Sequence, residues 1–272
     1  RDGDVTKGRH RAEAIDWGDV HAEVYDREVA QACWGEGGMM DTMKPRHQML
    51  HDLLDFRRRN HHDRRDPHIT FQKHIEGREC VEGEMQATAD LVNDLIYRPW
   101  TKTNVVCSNH DNAFLRWLKE ADYKSDPVNA RYFLESQLAV YQAIERQDHD
   151  FHLVEHALRL KGVPEDVHFL RQDEPYSILP DKSGGIECGM HGDVGPNGAR
   201  GTPQSLMRMG RKAVTGHTPS AGIYAGLWVA GLTARLEHGY NIGPGSWSHS
   251  QVIIQPNGKR QMITIWNGKW RA

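Results

Sequence analysis

Residues 12–21 read AEAIDWGDVH, an apolar run of strand type that ends at Gly18 and continues at once into Asp19 and His21. The apolar residues predict a short buried strand, and the glycine predicts the turn that ends it. A carboxylate and an imidazole then stand two positions apart, so one turn offers both an oxygen and a nitrogen ligand. The stretch therefore predicts a strand that carries polar side chains at its end.

The same arrangement, an apolar strand followed by polar side chains, recurs along the chain. The stretches RHQMLHDLLDF (46–56), TNVVCSNHD (103–111), MHGD (190–193) and VTGH (214–217) offer, in this order, Asp52 with Asp55, Asn109 with His110 and Asp111, His191, and His217. Open α/β sheets place their sites at the ends of strands. Carboxylate, amide and imidazole ligands together suit Mn, Fe or Zn better than Ca, which prefers oxygen alone.

Each of these pieces, taken alone, favours an ordinary structural role. An Asp-x-His at a strand end is more often a surface turn, and an Asn-His-Asp triplet usually caps a helix. A single histidine is more often a hydrogen-bonded structural residue than a ligand. The order of the pieces and the glycines beside them favour one joint metal site over these separate roles.

Hydrophobic periodicity predicts several helices followed by short strands. Helices are predicted at 22–34, from Thr70 to Tyr97, around AFLRWLKEA (113–121), from Asp126-Pro127 to about Arg146, and at 151–161. Strands are predicted at 186–191, 212–216, 222–229, 250–255 and 260–266, the last two joined by the turn PNGKR (256–260). We expect a single α/β domain over 1–272, with a helical insertion at about 112–162 between the third strand and the strand-rich part.

Composition excludes several classes of protein. A net charge of −3 over 272 residues does not suit a wholly basic nucleic-acid-binding protein. The 4 cysteines are far apart and form no CxxC pair, which predicts reduced thiols in the cytoplasm. The longest apolar stretch, AGIYAGLWVAGLTA (221–234), is too short and too rich in glycine to span a membrane. Because the chain begins at Arg1, we expect it to belong to a longer polypeptide with a preceding N-terminal region.

The order of the motifs resembles that of the calcineurin-like metallophosphoesterases, which runs DxH, GDxxD, GNHD or GNHE, an isolated His, and GHxH. GDVH and SNHD are the most specific pieces of the resemblance. It implies an α+β fold, a four-layer αββα sandwich of two mixed sheets flanked by helices, with two divalent metal ions at the strand ends. By position, one cation would take Asp19 and His21, Asp52 would bridge both cations, and the other would take Asn109, His191 and His217.

The resemblance also implies a reaction. With two cations in place, a hydroxide attacks the phosphate in line. His110 would touch the substrate and donate a proton to the leaving oxygen, and Asp111 would either orient His110 or cap the following helix. Mn is the expected metal, with Mg, Fe or Zn as alternatives.

The chain departs from the family pattern at two positions. His51 stands where the family has a glycine before Asp52, a change that is tolerable if the turn there is not left-handed. Pro219 stands where the family has the last histidine of GHxH, which completes the shell of the first cation. We expect weaker affinity for that cation, unless a neighbour such as His249 fills the place.

Further stretches resemble a narrower group, the metallophosphoesterase half of the pre-early DNA-transfer proteins of T-five-like tailed phages. They are GMHGDVGPNGARG, GHTPSAGI, YNIGPGSWSHS, QPNGKR, HDLLDFRRRNHHD and DPVNARYFLESQ. This resemblance implies DNA as the substrate, a role in phage DNA transfer or host DNA degradation, and a location in the host cytoplasm.

Basic and polar residues lie close in sequence to the expected cations. The candidates for substrate binding are Arg57, Arg59, Asn60, His61, His62 and Arg200. Such residues hold a phosphate backbone without reading bases, so sequence-specific cleavage is not expected. A run of charges is, however, more often a solvated face.

Three functions remain open on the sequence. The first is a metal-dependent DNase, and the second is a phosphomonoesterase or nucleotide phosphatase on the same scaffold. The third is a catalytically weak DNA- or protein-binding scaffold, which Pro219 favours. A homo-oligomer is compatible with all three.

Overall fold

The computed structural model describes residues 10–61, 63, 66–181, 184–239, 241 and 243–271. Helices in these residues are α1 (Arg27–Trp34), α2 (Met39–Met43), α3 (Pro67–Ile75), α4 (Val81–Leu91), α5 (Asn109–Glu120), α6 (Ala130–Glu145), α7 (Leu153–Leu160) and α8 (Pro203–Leu206). Strands are β1 (Ala14–Trp17), β2 (His47–Leu50), β3 (Lys102–Val105), β4 (His168–Phe169), β5 (Ser177–Ile178), β6 (Ile186–Glu187), β7 (Ala213–Thr215), β8 (Gly222–Tyr224), β9 (Leu227–Val229), β10 (Ser250–Ile254) and β11 (Arg260–Thr264).

The strands form two mixed sheets. The first has the order β11-β10-β1-β2-β3-β4, in which β1 to β4 are parallel and β10 and β11 are antiparallel to their neighbours. The second has the order β5-β6-β7-β9-β8, with parallel pairs at its centre and an antiparallel pair at each edge. The predicted mixed α/β class with two mixed sheets is confirmed.

Side-chain alternation along the strands separates two apolar layers. Ile15 and Trp17 on β1 pack in the core that the first sheet shares with the helices. Ala14 on β1 and Met49 on β2 point the other way and pack with residues of the second sheet, such as Val214. Because successive side chains of a strand point to opposite faces, the two sheets lie face to face with helices outside the first. The outer face of the second sheet is covered in part by the short helix α8.

The single helix predicted from Thr70 to Tyr97 is wrong. The structure has two helices there, α3 and α4, the second followed by a π-helical turn at Val92–Ile96. Gly77 takes a left-handed φ of 67°, and the amide of Arg78 donates to the carbonyl of Lys73. This is a glycine-dependent C-terminal motif that stops α3. Cys80 then caps a new helix by accepting the amide of Gly83.

The helix predicted to begin at Asp126-Pro127 begins later, at Ala130 with Asn129 as its N-cap. Asp126 instead closes a turn, because its carbonyl accepts the amide of Asn129 and its carboxylate pairs with Arg59. Helices α5, α6 and α7 lie between β3 and β4, in the segment predicted as the helical insertion. The short strands β4 and β5 were not predicted, and the stretch 222–229 is a hairpin of β8 and β9.

The apolar stretch 221–234 contains β8, β9 and the chain that returns towards β1. The amide of Asp19 donates to the carbonyl of Gly231, at 3.0 Å. Gly18 is required there because a Cβ on it would collide with the backbone of Gly231. No helix within the described ranges is long and apolar enough to cross a bilayer.

Candidate metal centre

Two groups of side chains meet at the carboxylate of Asp52. The first group is His21, Asp52 and His110, and the second is Asp52, His191 and His217. Within each group the ligand atoms lie within 4.8 Å of one another. Asp52 Oδ2 is 3.1 Å from His191 Nε2 and 3.8 Å from His21 Nε2. The side chains that meet at this carboxylate come from the segments that follow five strands, β1, β2, β3, β6 and β7.

Asp19 lies beside this centre but belongs to neither group in the described part of the chain. Its Oδ1 accepts the backbone amide of His217 at 2.9 Å. Gly216 makes this approach possible, because a Cβ at that position would collide with Asp19. The resemblance predicted that Asp19 and His21 bind the same cation. In the structure, His21 is grouped with His110, and Asp19 accepts the backbone amide of His217.

Three of the candidate ligands lie in the left-handed region of backbone conformation. His21, Asp52 and His217 have positive φ values of 45°, 44° and 65°. Residues other than glycine rarely adopt this region, and those that do cluster at functional sites. His51 is not among the residues with positive φ, so the backbone at this position does not require a glycine; the left-handed residue of the turn is Asp52.

The charges of the centre are strongly coupled. Burial lowers the pKa of His21, but Asp55, Asp52 and Asp19 together raise it to about 9. Burial likewise acts against a charged His191, yet its contact with Asp52 raises its pKa to about 9. Burial raises the pKa of Asp52, and the three neighbouring histidines lower it well below its ordinary value. Without a cation, protons therefore occupy ring nitrogens that face the shared carboxylate.

His110 has one defined orientation. Its Nδ1 lies 2.6 Å from the backbone oxygen of Asp55, and a carbonyl only accepts, so Nδ1 carries the hydrogen. Nε2 then faces Asp52 Oδ2 at 4.0 Å. This geometry suits a ligand when His110 is neutral and a proton donor when it is protonated.

Asp111 caps helix α5. Ser108 and Asp111 form a reciprocal capping box at the start of α5. Burial, with nearby Asp52 as a further cause, raises the pKa of Asp111 to about 7. Of the two roles left open on the sequence, the capping role is the one that the geometry supports.

The donor set fits a divalent transition metal. Among the described residues, Asp52 Oδ1 and Asn109 Oδ1 are buried and have no hydrogen-bond partner. Buried polar atoms are normally hydrogen-bonded, so these two acceptors are available to a cation. Carboxylate, amide and imidazole ligands suit Mn, Fe or Zn.

A cavity of about 880 Å³ opens beside the first group. It is lined by His21, Asn109 and His110 together with four of the predicted substrate-binding residues, Arg57, Asn60, His61 and Arg200. Arg57 lies 3.9 Å from Asp55, and His61 Nε2 lies 3.0 Å from Arg116. The cavity also contains Lys73, which pairs with Asp63 at 2.8 Å.

Two predicted substrate-binding residues are not brought to this cavity. Arg59 lines a different pocket and forms a two-pronged ion pair with Asp126, at 2.6 and 2.9 Å. Its guanidinium therefore holds the turn before α6. His62 lies outside the described residues.

Comparison with known proteins gives one informative match. The chain is similar to Protein A1 of Escherichia phage T5. The two are 39% identical over 264 residues, which is 95% of this chain and 46% of that protein. The chain thus spans about half the length of the curated relative that it matches. No protein-family profile and no solved structure matches the chain. The similarity supports a phage protein.

Sequence reasoning missed His238. Its ring centroid lies 5.5 Å from that of His21, close to the 5.1 Å between His191 and His217. Burial and the charge of His21 lower the pKa of His238 to about 4, and His238 lines the same cavity as His21. His249, the candidate for the ligand place that Pro219 leaves open, has Nε2 2.9 Å from the carbonyl of Ala234 and belongs to neither group of candidate ligands in the described residues. The sequence feature that could have indicated His238 is its position immediately before Gly239 and shortly after the apolar stretch 221–234.

Proposed function

We propose that this chain is a metal-dependent phosphodiesterase, a Mn-activated DNase that holds two cations. The observation that carries the proposal is the position of Asp52, whose single carboxylate belongs to both groups of candidate ligands. A carboxylate shared in this way is what a pair of cations about 3.5–4 Å apart requires. When bound, the two cations would neutralise phosphate oxygens and lower the pKa of water.

The geometry and the resemblance together support the following roles for the protein's own residues. Asn109, His191 and His217 would hold one cation with Asp52, and His21 would hold the other. Asp55 lies 3.3 Å from His21 Nδ1, which directs the opposite nitrogen of the ring towards Asp52. A ligating histidine commonly has its other nitrogen fixed in this way.

His110 is proposed as the proton donor to the leaving oxygen. Its Nδ1 is fixed on the Asp55 carbonyl, so only Nε2 is directed towards the cavity and Asp52. Its side chain is about a quarter exposed, at 23%, which gives a substrate access to it. A positioned donor of this kind contributes roughly 10²–10⁴-fold to the rate.

DNA is the proposed substrate because the cavity combines these groups with guanidinium side chains. Arg57 and Arg200 line it from separate parts of the chain. Contacts of this type bind phosphates without reading sequence. The resemblance to phage DNA-transfer proteins supports the same substrate, and a location in the host cytoplasm belongs to this proposal.

The test is hydrolysis by the purified protein with Mn, Mg or EDTA. We expect supercoiled plasmid DNA to be cleaved with Mn, to remain intact with EDTA, and p-nitrophenyl phosphate to be hydrolysed poorly. Efficient hydrolysis of p-nitrophenyl phosphate with intact plasmid would assign a phosphomonoesterase instead. Retention of DNA on a gel without cleavage under every metal would assign a scaffold.

A further inference from the structure

A chain of buried polar contacts leads from the first sheet to the candidate ligand His191. Asp16 on β1 accepts from His51 Nε2 at 3.0 Å, and His51 Nδ1 lies 3.4 Å from His191 Nδ1. His191 Nε2 then lies 3.1 Å from Asp52 Oδ2. All four side chains are at most 3% exposed.

We propose that His51 and Asp16 are positioning residues that fix the ring of His191, so that His191 Nε2 is presented to a cation. This inference rests on the proposed two-cation site and names two residues that act through one of its ligands.

One arrangement of hydrogens satisfies the two contacts that His51 makes. The carboxylate of Asp16 only accepts, so His51 carries a hydrogen on Nε2 and is left with an acceptor at Nδ1. His191 must then donate from its own Nδ1. The lone pair of a neutral His191 is therefore on Nε2, the atom that faces Asp52.

The position of these hydrogen-bonded side chains in the fold indicates that packing alone does not explain their presence. Asp16 lies on β1 on the same face as Ala14, in the apolar layer between the two sheets. Burying a carboxylate and an imidazole in such a layer costs free energy unless they are hydrogen-bonded. A carboxylate that orients a ligating histidine is a recurrent feature of metal sites, and here a second histidine lies between the two.

The backbone around His51 is adapted to its ring. A Cβ on Gly216 would lie 2.7 Å from the Cβ of His51, which is closer than side chains approach. Gly216 immediately precedes the candidate ligand His217, so the glycine allows both histidines to occupy the same side of the centre. A glycine at position 51, as in the family pattern, would leave His191 Nδ1 without this acceptor.

The metal-free protein allows a direct test of the hydrogen bond. NMR of ¹⁵N-labelled protein should show neutral His51 with its hydrogen on Nε2 and His191 with a hydrogen on Nδ1. A hydrogen on Nδ1 of neutral His51, with both ring resonances assigned, would overturn the inference. Because no metal is added, this result does not depend on the DNase proposal.

The second test measures metal binding. Calorimetric titration of His51→Phe with Mn should show the affinity of one of the two sites reduced by roughly 10–100-fold, as for loss of a partner of a ligand. His47→Phe is the matched control, since His47 lies on β2, the strand that His51 follows, and contacts Tyr176 instead. Unchanged Mn affinity in His51→Phe would overturn the inference. Absence of any Mn binding by the unaltered protein would instead refute the proposed function.

A third variant separates positioning from space filling. In His51→Gly, added imidazole should restore the lost Mn affinity, whereas thiophene, a ring of similar size without an N–H group, should not. Equal rescue by both compounds would mean that the ring of His51 only fills space. Circular dichroism of each variant verifies that it is folded.

Discussion

Replacing the shared carboxylate is the perturbation with the largest expected effect. Asp52→Asn keeps the size of the side chain and removes its negative charge. Asp52 Oδ2 lies 3.1 Å from His191 Nε2 and 3.8 Å from His21 Nε2, so both groups lose their common anionic member. We expect DNA cleavage to be abolished and the content of both cations to fall.

The effect of losing a residue that acts through a metal ligand gives a lower bound for the effect of losing Asp52. Loss of a residue that merely hydrogen-bonds to a ligand typically lowers metal affinity or activity about 10–100-fold. Asp52 is proposed as a ligand itself, and of two cations at once. The fall in the rate of DNA cleavage is therefore expected to be at least about 100-fold at fixed Mn concentration.

The same variant has a readout that needs no metal. Burial lowers the pKa of His191, and it is Asp52 that raises it to about 9. In metal-free Asp52→Asn the pKa of His191 is expected to fall, because the neutral amide no longer stabilises the imidazolium. An NMR titration of the histidine ring resonances measures this shift.

The assay compares initial rates of plasmid cleavage and bound Mn per chain for the unaltered protein and the variant. Asp94→Asn is the matched control, since Asp94 is an exposed carboxylate on the π-helical turn and belongs to neither group of candidate ligands. If Asp52→Asn retained full turnover and both cations, the assignment of Asp52 as a bridging ligand would be refuted.

Further predictions concern pH, substrate and the first cation. The pKa of both His21 and His191 is raised from 6.5 to about 9 in the folded protein. In EDTA their stabilising effect is complete below about pH 6.5 and is lost as the pH rises through 9, so thermal unfolding should show Tm falling over that window. Arg200→Ala should weaken DNA binding and lower the slope of log affinity against log salt by about 1 in filter-binding assays. His238→Ala should lower Mn affinity, and adding Pro219→His to it should restore the affinity in calorimetric titrations.

Each of these predictions has a contrary outcome. A constant Tm in EDTA would mean that the two histidines are not charged by their carboxylate neighbours. Arg208→Ala, at an exposed arginine, is the control for substrate binding, and an equal effect of both arginine variants would deny Arg200 a specific role. Unchanged Mn affinity in His238→Ala would mean that His238 does not contribute to binding of the first cation.

The strand ends could be predicted because short-range signals determine them. An apolar run followed by Gly18 and Asp19 indicates both the end of β1 and the polar residues after it. The order of such runs was enough to predict that Asp52, His191 and His217 lie together. Periodicity could not place the break between α3 and α4, which depends on one left-handed glycine, Gly77.

Other features depend on contacts between distant residues and were beyond sequence reasoning. Arg59 was expected at the substrate, but its partner is Asp126, whose position only the tertiary structure determines. His238 lies beside His21 because the chain returns along β1 after β9, a path that no local pattern encodes. The alignment of His51 between Asp16 and His191 likewise requires the register of β1 and β2.

The most direct test of the proposed two-cation site is anomalous scattering from crystals grown with Mn. A pair of cations at the shared carboxylate predicts two peaks, about 3.5–4 Å apart, one on each side of Asp52. A single peak that touches only one group of ligands, or no peak after soaking at high Mn concentration, would contradict it.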